Sequence, residues 1–173
     1  MREKGLIHVY YGEGKGKTTA ALGLLLRAVG HGMRVLFVQF FKHQLTGEIA
    51  SLQLLPGVMV YRFGSGRFVK NNTVDEEEKR EFLQGWQIVQ EGLRGETYDM
   101  VILDEFPYAF FYHLLSWEQF SQLLALRNPR IELIITARKV PQELLAIADL
   151  VSEMRCVKHP FSQGTPARKG VEY

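Results

Sequence analysis

The sequence predicts an α/β fold, a doubly wound, mostly parallel sheet of about six strands flanked by helices. Three observations carry that expectation. The first is a glycine loop, Gly12-Glu13-Gly14-Lys15-Gly16-Lys17-Thr18-Thr19, set between an apolar run from Leu6 to Tyr11 and a helical run from Thr18 to Val29. The second is a hydrophobic strand that starts at Tyr98 and ends in adjacent carboxylates, Asp104 and Glu105. The third is the alternation of short apolar runs with amphipathic ones, with no repeats, linkers or low-complexity stretches between them.

Strand, glycine loop and helix in that order make a phosphate cradle. Glycines let successive backbone N–H groups converge on an anion, and the helix N-terminus adds its positive dipole. Lys17 would set a point charge on the phosphates, and the Thr18 hydroxyl would reach a magnesium ion. A strand ending in Asp104-Glu105 resembles the arrangement in which an acid completes the magnesium shell beside such a loop. Any strand can end in Asp-Glu, but with the loop present both motifs finish at one edge of a parallel sheet. The pair points to the P-loop NTPase class, RecA-like in arrangement.

Gly12 and Gly16 enclose three residues where the common loop has four, and Tyr11 stands at the expected first position. The loop is one residue tight, which suits an unusual nucleotide pose. A plain strand-to-helix turn is the alternative. It does not require Gly-Lys-Thr at the head of the helix, and Lys15 and Lys17 would repel each other unless an anion sat between them.

A chain of 173 residues suits one domain, 1–173, with 157–173 as an irregular basic tail. A net charge of +2 is too small for a nucleic-acid binder, which needs a dense basic face. Cys156 is the only cysteine, which excludes an intrachain disulfide and a cysteine zinc site. No apolar run approaches the ~20 residues of a membrane span. The short polar stretch before the first strand leaves no space for a signal peptide, so a cytoplasmic protein is expected.

The elements follow in order. Ala20–Gly30 reads as a helix with Leu22, Leu25, Leu26 and Val29 on one stripe, ended by Gly30-His31-Gly32. Arg34–Phe41 is nearly continuous apolar sequence, as in a strand buried on both faces. Its polar member is Gln39, and Lys42 and His43 follow at the carboxyl end, where ligands sit in open α/β sheets. Gln39 reads equally well as a residue bonded to backbone. Thr46–Leu55 is a short helix with Thr46 as N-cap and Pro56-Gly57 as its stop. Val58–Phe63 is the third strand, and 64–72 is loop. Asp75–Gly92 is a longer helix whose Phe82, Trp86, Val89 and Leu93 pack in the core. Tyr108, Phe110, Phe111 and Tyr112 read as packing rather than as the wall of a flat-ligand pocket. Ser116–Leu126 is helical, with Ser116 and Gln119 spaced for a capping box. Ile131–Thr136 is the fifth strand, Pro141 opens a helix through Ala148 at its first position, and Leu150–Cys156 is the last strand.

Taken together these residues resemble the P-loop ATP:corrinoid adenosyltransferases of cobalamin biosynthesis and salvage. The resemblance runs from Gly5 to Tyr173. It rests on the short loop 12–19, on Arg27-Ala28-Val29-Gly30-His31-Gly32, on Val38-Gln39-Phe40 with Lys42, and on Leu103-Asp104-Glu105. It continues through Ile135-Thr136-Ala137-Arg138 and 148–155. Its most specific part is the tail, Val157-Lys158-His159-Pro160-Phe161, Gly164, Ala167 and Gly170-Val171-Glu172-Tyr173.

The resemblance implies a reaction in which a corrinoid reduced to Co(I) attacks C5′ of ATP, forms a cobalt–carbon bond and expels triphosphate. The nucleophile carries no proton, so no general base is needed, and catalysis reduces to orienting C5′ and neutralising the leaving group. It implies ATP as co-substrate, held by Gly12, Glu13, Gly14, Lys15, Gly16, Lys17, Thr18, Thr19 and Arg138. Mg²⁺ would sit on Thr18 and Glu105, with Asp104 either on the metal through water or orienting Thr18. Lys17, Glu105 and Asp104 are the implied catalytic residues, and Gln39, Phe40, Lys42, Arg67 and Phe68 the implied corrinoid contacts. A flavoprotein reductant and a homodimer are implied as well, with no nucleic-acid or membrane partner.

The chain departs from the family pattern in places. The loop after the third strand reads Gly66-Arg67-Phe68-Val69 where the family has Gly-Phe-Thr-Trp, and Phe106-Pro107-Tyr108 replaces a leucine followed by a polar residue. The polar helix that some members carry before the first strand is not seen in this sequence. These departures leave room for an ATP-dependent switch or partner-binding relative without corrinoid turnover. A nucleoside kinase is a further alternative, although its usual four-cysteine zinc lasso is impossible here. The altered loop also suggests a preference for a corrinoid without a bulky lower ligand.

Overall fold

Each apolar run becomes a strand, and every neighbouring pair in the sheet is parallel. The computed structural model describes residues 4–42, 46–64 and 74–172. Its six strands are β1 (Ile7–Tyr11), β2 (Val35–Phe40), β3 (Val58–Phe63), β4 (Met100–Asp104), β5 (Glu132–Ala137) and β6 (Leu150–Glu153), in the order β3-β2-β4-β5-β1-β6. The helices are α1 (Lys17–Gly30), α2 (Gly47–Leu52), α3 (Glu76–Arg94), α4 (Tyr108–Phe111), α5 (Trp117–Ala125) and α6 (Gln142–Ile147). A 3₁₀ turn spans Pro160–Gln163 in the tail. The doubly wound α/β class expected from the sequence is therefore the observed one, with all strands parallel rather than most.

Side chains alternate across a strand, and both faces are covered. On one face Val35, Phe37, Met100, Ile102 and Ile134 pack beneath α1 and α2, through Ala21, Leu25, Ala28, Ile49 and Leu52. On the other, Leu36, Val38, Phe40, Val101, Leu103 and Ile135 meet Phe82, Val89 and Leu93 of α3, Phe120 and Leu123 of α5, and Leu144 of α6. Burial on both sides explains why the central strands read as unbroken apolar runs.

Several element details differ from expectation. The buried stripe of α1 is Lys17, Ala21, Leu25 and Ala28, whereas Leu26 is exposed. The small alanines let the helix lie close on the sheet, so the larger leucines flank the contact line. Pro141 is the N-cap of α6 and not its first helical residue. Thr46 does stand at the N-cap of α2, but its hydroxyl makes no capping bond. β6 ends at Glu153, three residues short of Cys156. The capping box of α5 is complete, with Gln119 N–H donating to Ser116 Oγ at 3.2 Å and Ser116 N–H donating to Gln119 Oε1 at 2.9 Å.

Candidate functional site

The site is built at the carboxyl edge of the sheet on the α1 face. Strand register sets Gln39 opposite Asp104 and Asp104 opposite Thr136, so three polar residues form the last rung of three adjacent strands. All three are buried, at 0%, 0% and 1% exposure. Thr18, in the first turn of α1, completes the group.

Asp104 accepts from all of them. Thr18 Oγ1 and Thr136 Oγ1 donate to Oδ1 at 2.7 and 2.6 Å, and Gln39 Nε2 and Lys42 Nζ donate to Oδ2 at 2.9 and 3.0 Å. Burial alone would make this carboxyl hold its proton. The Lys42 charge and the hydrogen bonds from Thr136, Gln39 and Thr18 outweigh it and keep the pKa below the ordinary aspartate value. Gln39 is fixed in turn by Arg62, whose Nε donates to Oε1 at 3.2 Å.

Glu105 behaves differently. Its backbone is left-handed, with φ 60°, a conformation that costs a non-glycine residue about 1 kcal/mol or more. The turn is held by its N–H donating to the Thr136 carbonyl at 2.9 Å and lying 3.3 Å from Thr136 Oγ1. Its Oε1 is 3.8 Å from Lys42 Nζ, and its Oε2 is buried without a hydrogen-bond partner among the described residues. Burial and the neighbouring Asp104 charge raise its pKa, opposed by Lys42, Lys17 and Arg138.

The glycine loop runs from Gly12 to Gly16 between β1 and α1. Gly12 and Gly16 have φ of 111° and 115°, where a side chain would be strained. Gly12 and Gly14 are also hemmed from behind, since a Cβ on either would strike the Met154 carbonyl at 2.5 or 2.7 Å. Gly12 N–H donates to the Arg138 carbonyl and Gly14 N–H to that of Met154, at 3.2 and 2.7 Å. The loop is thus clamped by residues that follow β5 and β6.

The two loop lysines point in opposite directions. Lys17 turns inward, where Nζ donates to the Gly12 and Gly14 carbonyls at 2.8 Å each, and burial holds its pKa below the usual lysine value. Lys15 turns outward and donates to Glu172 Oε1 at 2.9 Å and to the Val171 carbonyl at 3.0 Å. Arg168 grips the same carboxylate, with Nη2 3.1 Å from Oε1. The repulsion expected between Lys15 and Lys17 is therefore relieved by the tail.

The expected nucleotide residues Gly12 to Thr19, with Asp104, Glu105 and Arg138, do converge on one edge. Arg138 lies 3.8 Å from Glu13 on the exposed rim. The expected corrinoid contacts divide. Phe40 is sealed among Phe63, Phe82 and Phe106, and Gln39 is spent on Asp104 and Arg62, so neither offers a surface to a ligand. The alternation rule explains both, because each side chain at this position points into one core or the other. Lys42 reaches the acid pair. Arg67 and Phe68 lie outside the described residues, as do Val69 and His43. Thr136 was not expected in the site. It shares the strand parity of Ile134, and a polar residue closing a buried face beside an acid was the signal available.

A glycine loop clamped at the head of a helix, facing a strand tipped by two acids, defines a nucleotide-binding protein of the P-loop class. The fold alone is shared with the cytoplasmic domain of EssC, 19% identical with a TM-score of 0.50, where 98% of this chain matches 35% of that one. The sequence pattern of the ATP:corrinoid adenosyltransferases BtuR/CobO/CobP matches residues 3–173. The corrinoid adenosyltransferase of Escherichia coli is 39% identical over 171 residues, 99% of this chain and 87% of that protein. The corrinoid adenosyltransferase CobA of Salmonella typhimurium is 38% identical over 173 residues, 100% of this chain and 88% of that protein. The chain belongs to the ATP:corrinoid adenosyltransferase family.

Proposed function

We propose that this chain transfers the 5′-deoxyadenosyl group of ATP to the Co(I) of a reduced corrinoid at this edge, with triphosphate as leaving group. The observation that carries the reading is the joining of both nucleotide motifs by one bond, Thr18 Oγ1 to Asp104 Oδ1 at 2.7 Å. Lys17 and the N–H groups at the head of α1 hold the triphosphate, Arg138 approaches it from the rim, and Lys15, tied to Glu172, flanks it from the tail side. Asp104 orients the Thr18 hydroxyl. No group near the loop needs to act as a base, because the attacking cobalt carries no proton.

Mg²⁺ fits these residues. Glu105 Oε2 is a buried oxygen without a hydrogen-bond partner among the described residues, and it follows Asp104, which holds Thr18. Among the described residues no group of three or more His, Cys, Asp or Glu side chains is placed to hold an ion. A hard cation held by one carboxylate, one hydroxyl and phosphate oxygens matches magnesium. When bound it would neutralise charge developing on the leaving group. The family resemblance also supports a flavoprotein electron donor, a homodimer and a cytoplasmic location. Among the described residues no helix is long and apolar enough to cross a membrane.

A single turnover with MgATP and chemically reduced corrinoid tests the reading. The expected products are a light-sensitive cobalt–carbon species and intact triphosphate, seen by phosphorus NMR before any ADP. ADP with a phosphorylated acceptor would make the protein a kinase. In the same assay Lys17→Ala should weaken ATP binding or turnover by about tenfold or more, since a charge-assisted phosphate contact is worth roughly 1.5–3 kcal/mol. Unchanged affinity and turnover would remove the loop from the mechanism.

A further inference from the structure

Lys42 follows β2 and Phe41, whose backbone is left-handed like that of Glu105, with φ 57°. Two adjacent strands therefore leave the sheet by the same unusual turn, and the turns bring Lys42 over the acid pair. Its ammonium lies 3.0 Å from Asp104 Oδ2 and 3.8 Å from Glu105 Oε1, so one cation serves two carboxylates. Lys42 is about one third exposed, with side-chain exposure of 35% against 0% for Asp104 and 16% for Glu105. It can therefore move toward solvent while the carboxylates cannot. Asp104 already takes two donors on each oxygen. Glu105 Oε2 is a buried acceptor in the cluster without a partner among the described residues.

We propose that Lys42 is a positioning residue that acts as the resident cation of the Asp104–Glu105 pair, and that it bars a bare divalent ion from Thr18 and Glu105. The inference rests on the metal reading given above. A divalent ion approaching Glu105 meets an ammonium a few ångströms away, and like charges at that separation repel strongly in a partly buried site. The triphosphate reverses the balance, because its negative charge offers the ammonium a second partner. The metal then enters with the nucleotide and not ahead of it. This assigns Lys42 to the order of loading, a role distinct from contact with the corrinoid.

The test is binding of Mn²⁺ to the full chain without nucleotide, read by the loss of the free-ion EPR signal. Lys42→Met should bind bare Mn²⁺ about tenfold tighter than the unmodified protein, whereas Lys42→Arg, which keeps the charge, should stay within about threefold of it. Bare Mn²⁺ should also raise the melting temperature of Lys42→Met more than that of the unmodified chain. If Lys42→Met does not fold, Lys42→Gln, which keeps a donor for Asp104, carries the same expectation. Equal Mn²⁺ affinity in the unmodified and neutral variants, with MnATP still bound, would overturn the role of Lys42 and leave the nucleotide reading standing. Failure of the unmodified protein to bind MnATP would overturn both.

Discussion

On the α1 face, β2, β4 and β5 finish in Gln39, Asp104 and Thr136, while on the opposite face β2 finishes one residue later in Phe40 and β4 runs on into Phe106. The polar rung holds a charge that burial would otherwise neutralise. The aromatic side is ring against ring. Phe106 is surrounded by Phe40, Phe82, Trp86, Phe110 and Phe120, with centroids 5.1–6.4 Å away. One position along β2, and the left-handed turn at Glu105 after β4, separate the polar site from the aromatic packing that holds the edge still. The two tasks are divided between the two faces of the sheet edge. Mutations on the two faces should therefore fail in different assays.

The largest effect is expected on the aromatic face. Phe106→Ala should lower unfolding free energy by about 3–5 kcal/mol, as for other buried aromatic truncations, measured by denaturant titration. ATP affinity of the molecules that remain folded should change by less than about threefold. A parallel loss of affinity would break the division. Next comes the polar rung. Thr136→Val keeps the shape but removes a donor from Asp104 and an acceptor near the Glu105 N–H. It should reduce turnover by about tenfold while costing about 1–2 kcal/mol of stability. Loss of stability without loss of turnover would make the rung a packing feature only.

The smallest effect lies at the rim, where the tail grips the loop. Hydrogen bonds from Arg168 and Lys15 hold the Glu172 carboxyl at about 2 against an ordinary 4.5. A carboxyl depressed in the folded protein favours the docked tail fully above its ordinary value, and that support is lost as pH falls through the depressed one. Carbon NMR of Glu172 between pH 6 and 3 should therefore show it still ionised where other exposed glutamates have protonated. Arg168→Ala should move its midpoint toward 4.5. An unmodified Glu172 that titrates with the other glutamates would remove the clamp from the account of Lys15.

Fold class, the two nucleotide motifs and the capping of α5 were legible because each rests on local pattern. Gly12 to Thr19 and Asp104-Glu105 declared themselves by spacing. The misreadings came from questions that spacing cannot answer. Leu26 lies on the predicted stripe, yet Ala21 and Ala28 make the close contact, since how near a helix lies to its sheet depends on both partners. Gln39 and Phe40 stand at the right end of the right strand, but their neighbours β3 and β4 consume them. The sequence places Lys42 at the ligand-bearing end of β2, but its reach to the acid pair, like the place of Thr136, depends on strand register and two left-handed turns, which no single stretch encodes. The Lys15–Glu172 contact spans 157 positions in the chain, beyond the reach of any local reading.

That span bears on how the protein is made. The phosphate loop leaves the ribosome well ahead of its partners, the carbonyls of Arg138 and Met154 and the carboxylate of Glu172. At synthesis rates of roughly 5–20 residues per second the loop waits roughly 6–30 seconds for them. The strand that carries it is in the same position, because β1 is flanked in the sheet by β5 and β6, both made late. A nascent chain released before residue 154 would carry every residue of the nucleotide motif without the backbone that braces it. Bracing of the phosphate loop is thereby tied to synthesis of β6 and the residues that follow it.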